Sequence, residues 1–412
     1  MKKNKKLLII SYYFPPFNII GSMRFGEMVK YLERYGWQCH VLTVHSKGDL
    51  DVNLPQSRII RIGNISKRKK VNFKNIIEGE VNIDDFIFKL LGKMNINFRM
   101  LNMYPFTWSL KVLKELKKYE SLFKDTDMIL ATYNPSDDLW LAKYISRKYN
   151  IPFVADFRDL GALLPMKRNK ITDRIDFLLE KTVLKNAKAL TSVSPTLANI
   201  LKREHKKKSK VIYNGWDNFT EYKEKHGGYL YYAGGFYSHR MESVYMLIET
   251  LKKFPDIKLK IHSQGPEVLL NKIREFAKKN NVENIELFPP IKQKEVFKEA
   301  NNALANLVFE SLEKKNEAHK GNLTGKFLQL IALSPPVLSI ARDDNDMGNI
   351  LNETKKGKLC STSKQIEKFL IELTGNREKY KGNDKVFNYS KENQAKKLSN
   401  LLNEVLENSK EN

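Results

Sequence analysis

The sequence predicts an α/β protein with two domains, each built on a parallel β-sheet. Short apolar segments alternate with longer segments of helical periodicity along most of the chain, a pattern typical of parallel strands joined by helices. At 412 residues the chain is also too long for one ordinary hydrophobic core. These two observations together define the predicted fold class.

The first strand–loop–helix–strand unit lies at the N-terminus. Residues 7–10 are predicted as a buried strand and residues 39–44 as the next strand. Between them, Ser22 is predicted to cap a helix that Gly36 closes. Ligands bind at the carboxyl ends of such strands, and Gly21 would allow a ligand to approach the backbone closely. The loop lacks the GxGxxG and phosphate-loop patterns, so it supports neither a dinucleotide site nor a P-loop site.

Residues 47–126 follow a less regular pattern. The basic cluster 67–70 is predicted to be a solvated loop. Segment 86–108 mixes apolar and basic side chains, a composition that fits a helix lying on a membrane surface and ordinary core helices equally well. Both interpretations of segment 86–108 stay open at this point.

A charged cluster follows the strand predicted for residues 153–155. Asp156, Arg158 and Asp159 crowd the end of this buried strand. Charged groups in such a position must be paired or functional, because burying an isolated charge is costly. A structural Asp–Arg pair explains part of the cluster, and a functional site at the sheet edge explains it better. The three residues are therefore candidate site residues.

The best domain boundary follows residues 214–215, where strong turn formers precede a polar stretch without periodicity. The predicted domains are 1–215 together with about 391–412, and 216–390. The last segment has helical periodicity and is long enough to cross back onto the first domain. The further predicted strands are 128–131, 189–193 and 211–213 in the first domain, and 229–233, 257–262, 285–288, 303–309, 337–340 and 358–360 in the second.

Three cations lie in the first turns of predicted helices, where they oppose the helix dipole. They are Arg24, Arg240 and Lys326, and Thr324 is predicted to cap the helix that carries Lys326. The opposition costs about 0.3 kcal/mol or more for each cation. A bound anion would reverse the sign, because the exposed N–H groups and the cation would then face the same negative group. Taken alone, Lys326 is also consistent with an exposed lysine on a solvated helix end.

Composition limits the classes of partner. The chain has 72 Lys and Arg against 47 Asp and Glu, and the net charge of +25 favours nucleic acid, an anionic membrane or phosphorylated small molecules. The two cysteines, Cys39 and Cys360, argue against a disulfide framework or a Cys-based zinc site and fit a reducing cytosol. The apolar run after the basic N-terminus is too short for a signal peptide, and no run reaches a membrane-spanning length. Any membrane contact is therefore expected to be peripheral.

Several short motifs stand in order along the chain. They are Ser-Tyr-Tyr-Phe-Pro-Pro at 11–16 with 21–24, Asn-Pro-Ser at 134–136, Val-Ala-Asp-Phe-Arg-Asp at 154–159, then 192–194, 213–217, 234–240, and Thr-Gly-Lys at 324–326 with the helix after it and Pro336. Their order and spacing resemble glycosyltransferase family 4 (group 1), in particular bacterial polysaccharide-assembly enzymes, over nearly the whole chain. The resemblance implies a GT-B fold, in which two Rossmann-like domains face a cleft and the C-terminal one holds most of a nucleotide-sugar.

The resemblance also implies which residues bind the donor. Arg240 and Lys326 occupy the positions whose basic residues contact the diphosphate. Charge-assisted bonds there would stabilise the leaving nucleoside diphosphate, so neither a metal nor another cofactor is expected. Gln329 departs from the family, which usually has a glutamate bonding the ribose hydroxyls, although an amide both accepts and donates such bonds. The predicted donor-binding residues are Gly21, Gly235, Arg240, Thr324, Gly325, Lys326 and Gln329.

On the N-terminal side, the resemblance places a polar residue of the 154–159 strand end at the transferred sugar and the acceptor. Asp156 or Asp159 is predicted to orient the acceptor hydroxyl or to stabilise positive charge on the sugar, beside Arg158. These three residues form the predicted catalytic group.

The leading hypothesis is a retaining hexosyltransferase of cell-surface polysaccharide biosynthesis, such as lipopolysaccharide or capsule. Its expected partners are a nucleotide-sugar donor, a lipid-linked or saccharide acceptor, and an anionic membrane contacted peripherally from the cytoplasmic side. The departure at Gln329 motivates an alternative, a non-catalytic scaffold or partner subunit with the same fold. A nucleic-acid partner is less favoured, because the basic and aromatic residues match no recognisable binding module.

Overall fold

The structure is a computed structural model that describes residues 5–65, 100, 103–163 and 170–410. The predictions for the basic cluster 67–70 and for most of segment 86–108 lie outside the described residues. The chain divides into two compact units: unit 1 comprises Met1–Tyr213 with Gln394–Asn412, and unit 2 comprises Asn214–Asn393. The binding roles expected of the two domains stay predictions.

Unit 1 contains a sheet of seven parallel strands. Its strands are β1 (Lys5–Ile10), β2 (Trp37–His45), β3 (Ile59–Asn64), β4 (Met128–Tyr133), β5 (Phe153–Phe157), β6 (Ala187–Ser192) and β7 (Ser209–Val211). Their order across the sheet is β3-β2-β1-β4-β5-β6-β7. The central strands are almost wholly buried, which explains their continuous apolar sequences, because helices cover both faces of a parallel sheet.

The helices of unit 1 connect these strands. They are α1 (Ile20–Arg34), α2 (Met103–Glu115), α3 (Glu120–Lys124), α4 (Asp137–Tyr149), α5 (Lys170–Leu184) and α6 (Pro195–His205). The predicted cap at Ser22 is wrong. The helix begins earlier, with Ile19 at the N-cap and no side-chain cap. The reason is a main-chain turn, in which the Ser22 N–H donates to the Ile19 carbonyl, and Ser22 itself is buried.

Unit 2 repeats the same architecture with six parallel strands. They are β8 (Tyr229–Ala233), β9 (Lys258–His262), β10 (Ile285–Phe288), β11 (Ala305–Phe309), β12 (Val337–Ile340) and β13 (Gly357–Cys360). Their order is β10-β9-β8-β11-β12-β13. The helices are α7 (Met241–Leu251), α8 (Glu267–Lys279), α9 (Gln293–Asn302), α10 (Gly325–Leu330), α11 (Asp346–Thr354) and α12 (Ser363–Gly375).

The last helix, α13 (Lys391–Asn408), packs into the core of unit 1. Its buried residues Leu398 and Leu402 join the same cluster as Leu7 on β1. The Trp37 Nε1–H donates to Ser399 Oγ at 3.2 Å. The prediction that the C-terminal helix crosses back onto the first domain is therefore confirmed. Among the residues that the structure describes, no helix combines the length and apolar composition needed to cross a bilayer.

Candidate functional sites

Each sheet has one point at which the strand order reverses. In unit 1 this point lies between β1 and β4, and in unit 2 between β8 and β11. At such a point the loops after two neighbouring strands run in opposite directions and leave a crevice at the carboxyl ends, where α/β proteins bind ligands. The side chains that follow these strands form the candidate site of each unit.

In unit 1, Arg24 and Asp156 form a buried ion pair. Arg24 Nε lies 2.8 Å from Asp156 Oδ2, Arg24 Nη2 lies 2.6 Å from Oδ1, and each side chain is 1% exposed. Thr191 Oγ1 also donates to Asp156 Oδ1 at 2.6 Å. The buried Asp156 carboxylate thus explains why α1 has the cation of Arg24 in its first turns, where it opposes the helix dipole. These contacts give Asp156 a positioning role at the end of β5, and its action on a sugar stays a prediction.

Arg158 lies at the switch point of unit 1. Its Nη2 donates to the Asn134 carbonyl at 2.7 Å, after β4. A Cβ atom at position 21 would collide with the Arg158 guanidinium, so the glycine there is needed for this close approach. Burial lowers the pKa of Arg158, while the nearby carboxylates Asp156 and Asp159 oppose the shift. The structure therefore brings Gly21 and Arg158 together, both of which the sequence predicted as site residues.

Asp159 and Asp138 are two further acidic residues at this edge. Asp159 Oδ1 accepts from the Gly161 N–H at 2.9 Å, and Asp159 remains half-buried. Asp138, which the sequence analysis did not select, is 0% exposed and accepts from the Tyr12 N–H at 3.0 Å. Burial raises the pKa of Asp138 well above its ordinary value. Asp138 thereby ties the loop after β1 to the start of α4.

In unit 2, Arg240 and Glu310 meet at the switch point. Arg240 ends the turn Ser238–Arg240 and stands at the N-cap of α7, one residue before the helical turn in which it was predicted. Its Nη2 lies 2.9 Å from Glu310 Oε1, and its guanidinium lies 4.7 Å from the centroid of the Tyr237 ring. Glu310 directly follows β11, and its side chain is 1% exposed.

The Glu310 carboxyl is poorly compensated in this position. Its contact with Arg240 is within ion-pair distance, but neither carboxylate oxygen has an aligned hydrogen bond from the described residues. Burial raises the pKa of Glu310 to about 7, and Arg240 and Asn322 oppose the rise. The charge of the Glu310 carboxyl therefore changes near neutral pH. Arg240 can for this reason exchange Glu310 for another anionic partner.

Lys326, on α10, also lies at the switch point of unit 2. Thr324 Oγ1 accepts from the Phe327 N–H at 3.3 Å, which confirms the predicted cap. Lys326 Nζ donates to the Ala233 carbonyl at the end of β8, at 2.5 Å, and a Cβ at Gly234 would collide with this ammonium. The residue as a whole is exposed, whereas desolvation of its ammonium end lowers the pKa of Lys326, with Arg240 as the second cause.

The other predicted donor-binding residues of unit 2 lie in the same two segments as Arg240 and Lys326. Gly325 begins α10, and Gln329 lies in its last turn, half-exposed. The Gly235 carbonyl accepts from the Tyr232 hydroxyl at 2.8 Å, and a Cβ at Gly235 would meet no atom within 4 Å. Packing thus leaves room beside Gly235. Gly21 belongs to unit 1, so its predicted donor contact stays a prediction.

Glu310 is the residue of the unit 2 site that the sequence analysis missed. Its signal was the same as that of Asp156, an acidic residue directly after a buried strand. The predicted strand 303–309 ended one residue before it. Glu310 follows β11, one of the two strands at the switch point of unit 2, and this becomes evident only when the strand order is known.

The fold and the comparisons identify the class of protein: the chain is a glycosyltransferase with the GT-B fold. Residues 22–218, just under half of the chain and most of unit 1, match the model of Glycosyltransferase Family 4. The predicted resemblance is thereby confirmed. No curated protein sequence matches the chain significantly.

Solved structures share the fold over the whole length. Sucrose-phosphate synthase from Thermosynechococcus elongatus has a TM-score of 0.61 at 12% identity, covering 99% of this chain and 98% of its own. The lipopolysaccharide outer core galactosyltransferase WaaB has a TM-score of 0.59 at 11% identity, covering 97% and 99%. Anabaena HepE in complex with UDP and glucose has a TM-score of 0.56 at 10% identity, covering 99% and 98%. At these identities the likeness establishes the fold alone.

Proposed function

We propose that the protein transfers a hexose-type sugar from a nucleotide-sugar to a lipid-linked or saccharide acceptor in cell-surface polysaccharide biosynthesis. The convergence of Arg240 and Lys326 at the switch point of unit 2 is the observation that carries the proposal. Arg240 comes from the turn before α7 and Lys326 from α10, and the buried Glu310 carboxyl contacts Arg240. A site with this excess of positive charge is suited to a diphosphate.

The contacts also suggest how the diphosphate is held. Arg240 would exchange its misaligned contact with Glu310 for aligned, charge-assisted bonds to a phosphate oxygen. Lys326 would add a second such bond as negative charge develops on the leaving nucleoside diphosphate. On this proposal no metal is needed for departure of the leaving group, and transfer in the presence of a chelator is the expected outcome.

The contacts favour Asp159 over Asp156 as the residue that orients the acceptor hydroxyl. Both oxygens of Asp156 are taken up by Arg24, and Thr191 adds a further bond. Asp159 is half-buried and uses one oxygen for the Gly161 N–H. We assign Asp159 to orienting the acceptor hydroxyl and Arg158 to anionic groups of the substrates. On this proposal the transfer retains the anomeric configuration, as the resemblance to family 4 implies.

The structural relatives suggest which donors to test first. HepE was solved with UDP and glucose, and WaaB is a galactosyltransferase of the lipopolysaccharide outer core. UDP-glucose and UDP-galactose are therefore the first candidates, followed by UDP-N-acetylglucosamine and GDP-mannose. A bound donor raises the melting temperature, because it stabilises the folded state in proportion to ln(1 + [L]/Kd).

The test is a thermal-shift screen of these four donors, with and without a chelator. At least one donor is expected to raise the melting temperature, and release of its nucleoside diphosphate is expected when a lipid-linked saccharide fraction is added. If no donor shifts wild-type protein, Gln329→Glu should be screened in the same way. A response from neither protein would contradict the proposal and favour the non-catalytic partner subunit.

A further inference from the structure

A pair of stacked histidines joins the two segments of the unit 2 site. His239 lies in the turn Ser238–Arg240, and His319 lies in the turn Glu317–Gly321 that leads to α10. Their ring centroids are 5.6 Å apart, with an interplanar angle of 18°. The pair therefore connects the loop that carries Arg240 with the segment that carries Lys326.

Neighbouring groups hold the pair in place. The Tyr237 ring, over which the Arg240 guanidinium lies, is 5.8 Å from the His239 ring. The His319 carbonyl accepts from Asn345 Nδ2 at 2.9 Å, which fixes the backbone of its turn. The His319 side chain is 17% exposed, and His239 is exposed. The rings are thus ordered by packing while one edge remains open to solvent.

The charges around the pair are mixed. Arg240 faces both rings, and Arg342 acts on His319 from the loop after β12. Glu313 Oε2 lies 3.6 Å from His319 Nδ1, too far for a hydrogen bond. The other charged groups of this region are Glu317, which is exposed on the same turn, Lys320, which lies 3.9 Å from Asp344, and Glu310.

We infer that the His239–His319 pair binds the donor diphosphate together with Arg240 and takes up a proton as the diphosphate binds. The inference rests on the proposed function, because it requires a diphosphate at the unit 2 switch point. Two stacked imidazoles are compatible when both are neutral, and an anion that arrives beside them favours the charged form of a ring.

The protonation states of the free protein agree with this geometry. Burial and the nearby Arg240 lower the pKa of His239. Burial, Arg342 and Arg240 lower the pKa of His319, and Glu313 opposes the shift. Both shifts favour the neutral imidazoles in the free protein. A bound diphosphate raises both pKa values, so binding takes up protons and weakens as the pH rises.

Titration calorimetry at about pH 6, pH 7 and pH 8 tests the inference, because each proton taken up changes the affinity by up to about tenfold per pH unit. The probe is the tightest donor of the screen among UDP-glucose, UDP-galactose, UDP-N-acetylglucosamine and GDP-mannose. A nucleotide-sugar is preferred to UDP, because the terminal phosphate of UDP itself titrates near pH 6. Buffers of different ionisation enthalpy give the number of protons taken up.

Wild-type protein is expected to take up protons near pH 7 and to bind several-fold more weakly at about pH 8 than at about pH 6. His239→Gln and His319→Gln are each expected to reduce the uptake and to flatten the pH dependence. His226→Gln serves as the matched control, because His226 is an exposed histidine elsewhere in unit 2 whose Nδ1 accepts from the Gly228 N–H.

Four outcomes would overturn the inference. Binding without proton uptake, or uptake that survives in both histidine variants, would remove the role of the pair. Loss of uptake in Glu310→Gln, with uptake intact in both histidine variants, would assign the proton to Glu310 instead. If no donor binds at any of these pH values, the proposed function fails and the inference fails with it.

Discussion

Asp156, near the end of β5, and Glu310, directly after β11, are both buried acids, yet their surroundings differ. Asp156 is paired with Arg24 through two hydrogen bonds and accepts a third from Thr191. Glu310 has one unaligned contact with Arg240, and burial raises the pKa of Glu310 to about 7. The first pair is suited to holding a strand end in place, and the second to exchanging a partner when a ligand binds.

Removal of Asp156 is expected to destabilise the protein. Asp156→Ala leaves the Arg24 guanidinium buried without its counter-charge, which typically costs about 3–5 kcal/mol of unfolding free energy. Chemical denaturation of this variant should be compared with Asp159→Ala, a half-buried acid for which a change within about 1 kcal/mol is expected. An Asp156→Ala protein with wild-type stability and lost transfer activity would instead place Asp156 at the sugar.

Lys356 makes the stability of the protein depend on pH. It is 1% exposed, and burial, with the neighbouring Arg377 as second cause, lowers the pKa of Lys356 to about 7. The unfolded chain keeps this proton up to about pH 10, so above about pH 7 the unfolded state binds more protons and stability rises with pH. The melting temperature should therefore rise more steeply from about pH 7 to about pH 9 in wild type than in Lys356→Met. Equal slopes would mean that Lys356 does not titrate in this range.

At the scale of elements, most strands were predictable from the sequence, whereas β3 (Ile59–Asn64), in the segment predicted to be less regular, and the start of α1 were not. Parallel strands buried on both faces have continuous apolar sequences, so β4 and β5 were recognisable without a partner. The start of α1 was misplaced, because a backbone turn at Ile19, rather than the Ser22 side chain, opens the helix. Backbone turns of this type leave little trace in the side-chain pattern.

The candidate sites were predictable only in part, because some of their residues stand out in the local sequence and others do not. Arg158 and Lys326 stood out as cations in unfavourable sequence positions. Glu310 was missed, because one acid after a strand is informative only once that strand is known to lie beside the switch point. Strand order depends on long-range pairing, which the local sequence pattern does not contain.

Helix α5 carries an exposed apolar stripe that suits the proposed peripheral membrane contact. Ile171, Ile175 and Leu178 recur at helical spacing and are 67%, 37% and 55% exposed. The exposed cations Arg174 and Lys181 lie on the same helix. Apolar side chains flanked by cations bind the interface of anionic bilayers, partly through the hydrophobic effect and partly through charge.

Flotation with anionic vesicles at low salt tests this surface. Wild-type protein is expected to float, and Ile171→Ser combined with Leu178→Ser should reduce the bound fraction. Val268→Ser, at a site 67% exposed in unit 2, is the matched control and should leave flotation unchanged. Flotation of the double variant at the wild-type level would remove α5 from the membrane contact.

At the scale of the whole molecule, two separate α/β units each present charged side chains at one switch point. Unit 1 places Arg158 beside Gly21, and unit 2 places Arg240 against Glu310 and Lys326 against the Ala233 carbonyl at the end of β8. The net charge of +25 favours anionic substrates for both. A two-unit fold of this type allows donor and acceptor to be recognised by different residues.

The most direct test of the account is the affinity for the nucleoside diphosphate of the selected donor, beginning with UDP. Calorimetry should compare wild type with Arg240→Ala and Lys326→Ala. The matched controls are Arg274→Ala and Lys314→Ala, which remove surface cations paired with Glu267 and Asp343 in the same unit. Each site variant is expected to weaken binding at least about tenfold, because a hydrogen bond to a charged group contributes about 1.5–3 kcal/mol. The controls should bind as wild type does. Wild-type affinity in both site variants would contradict the account.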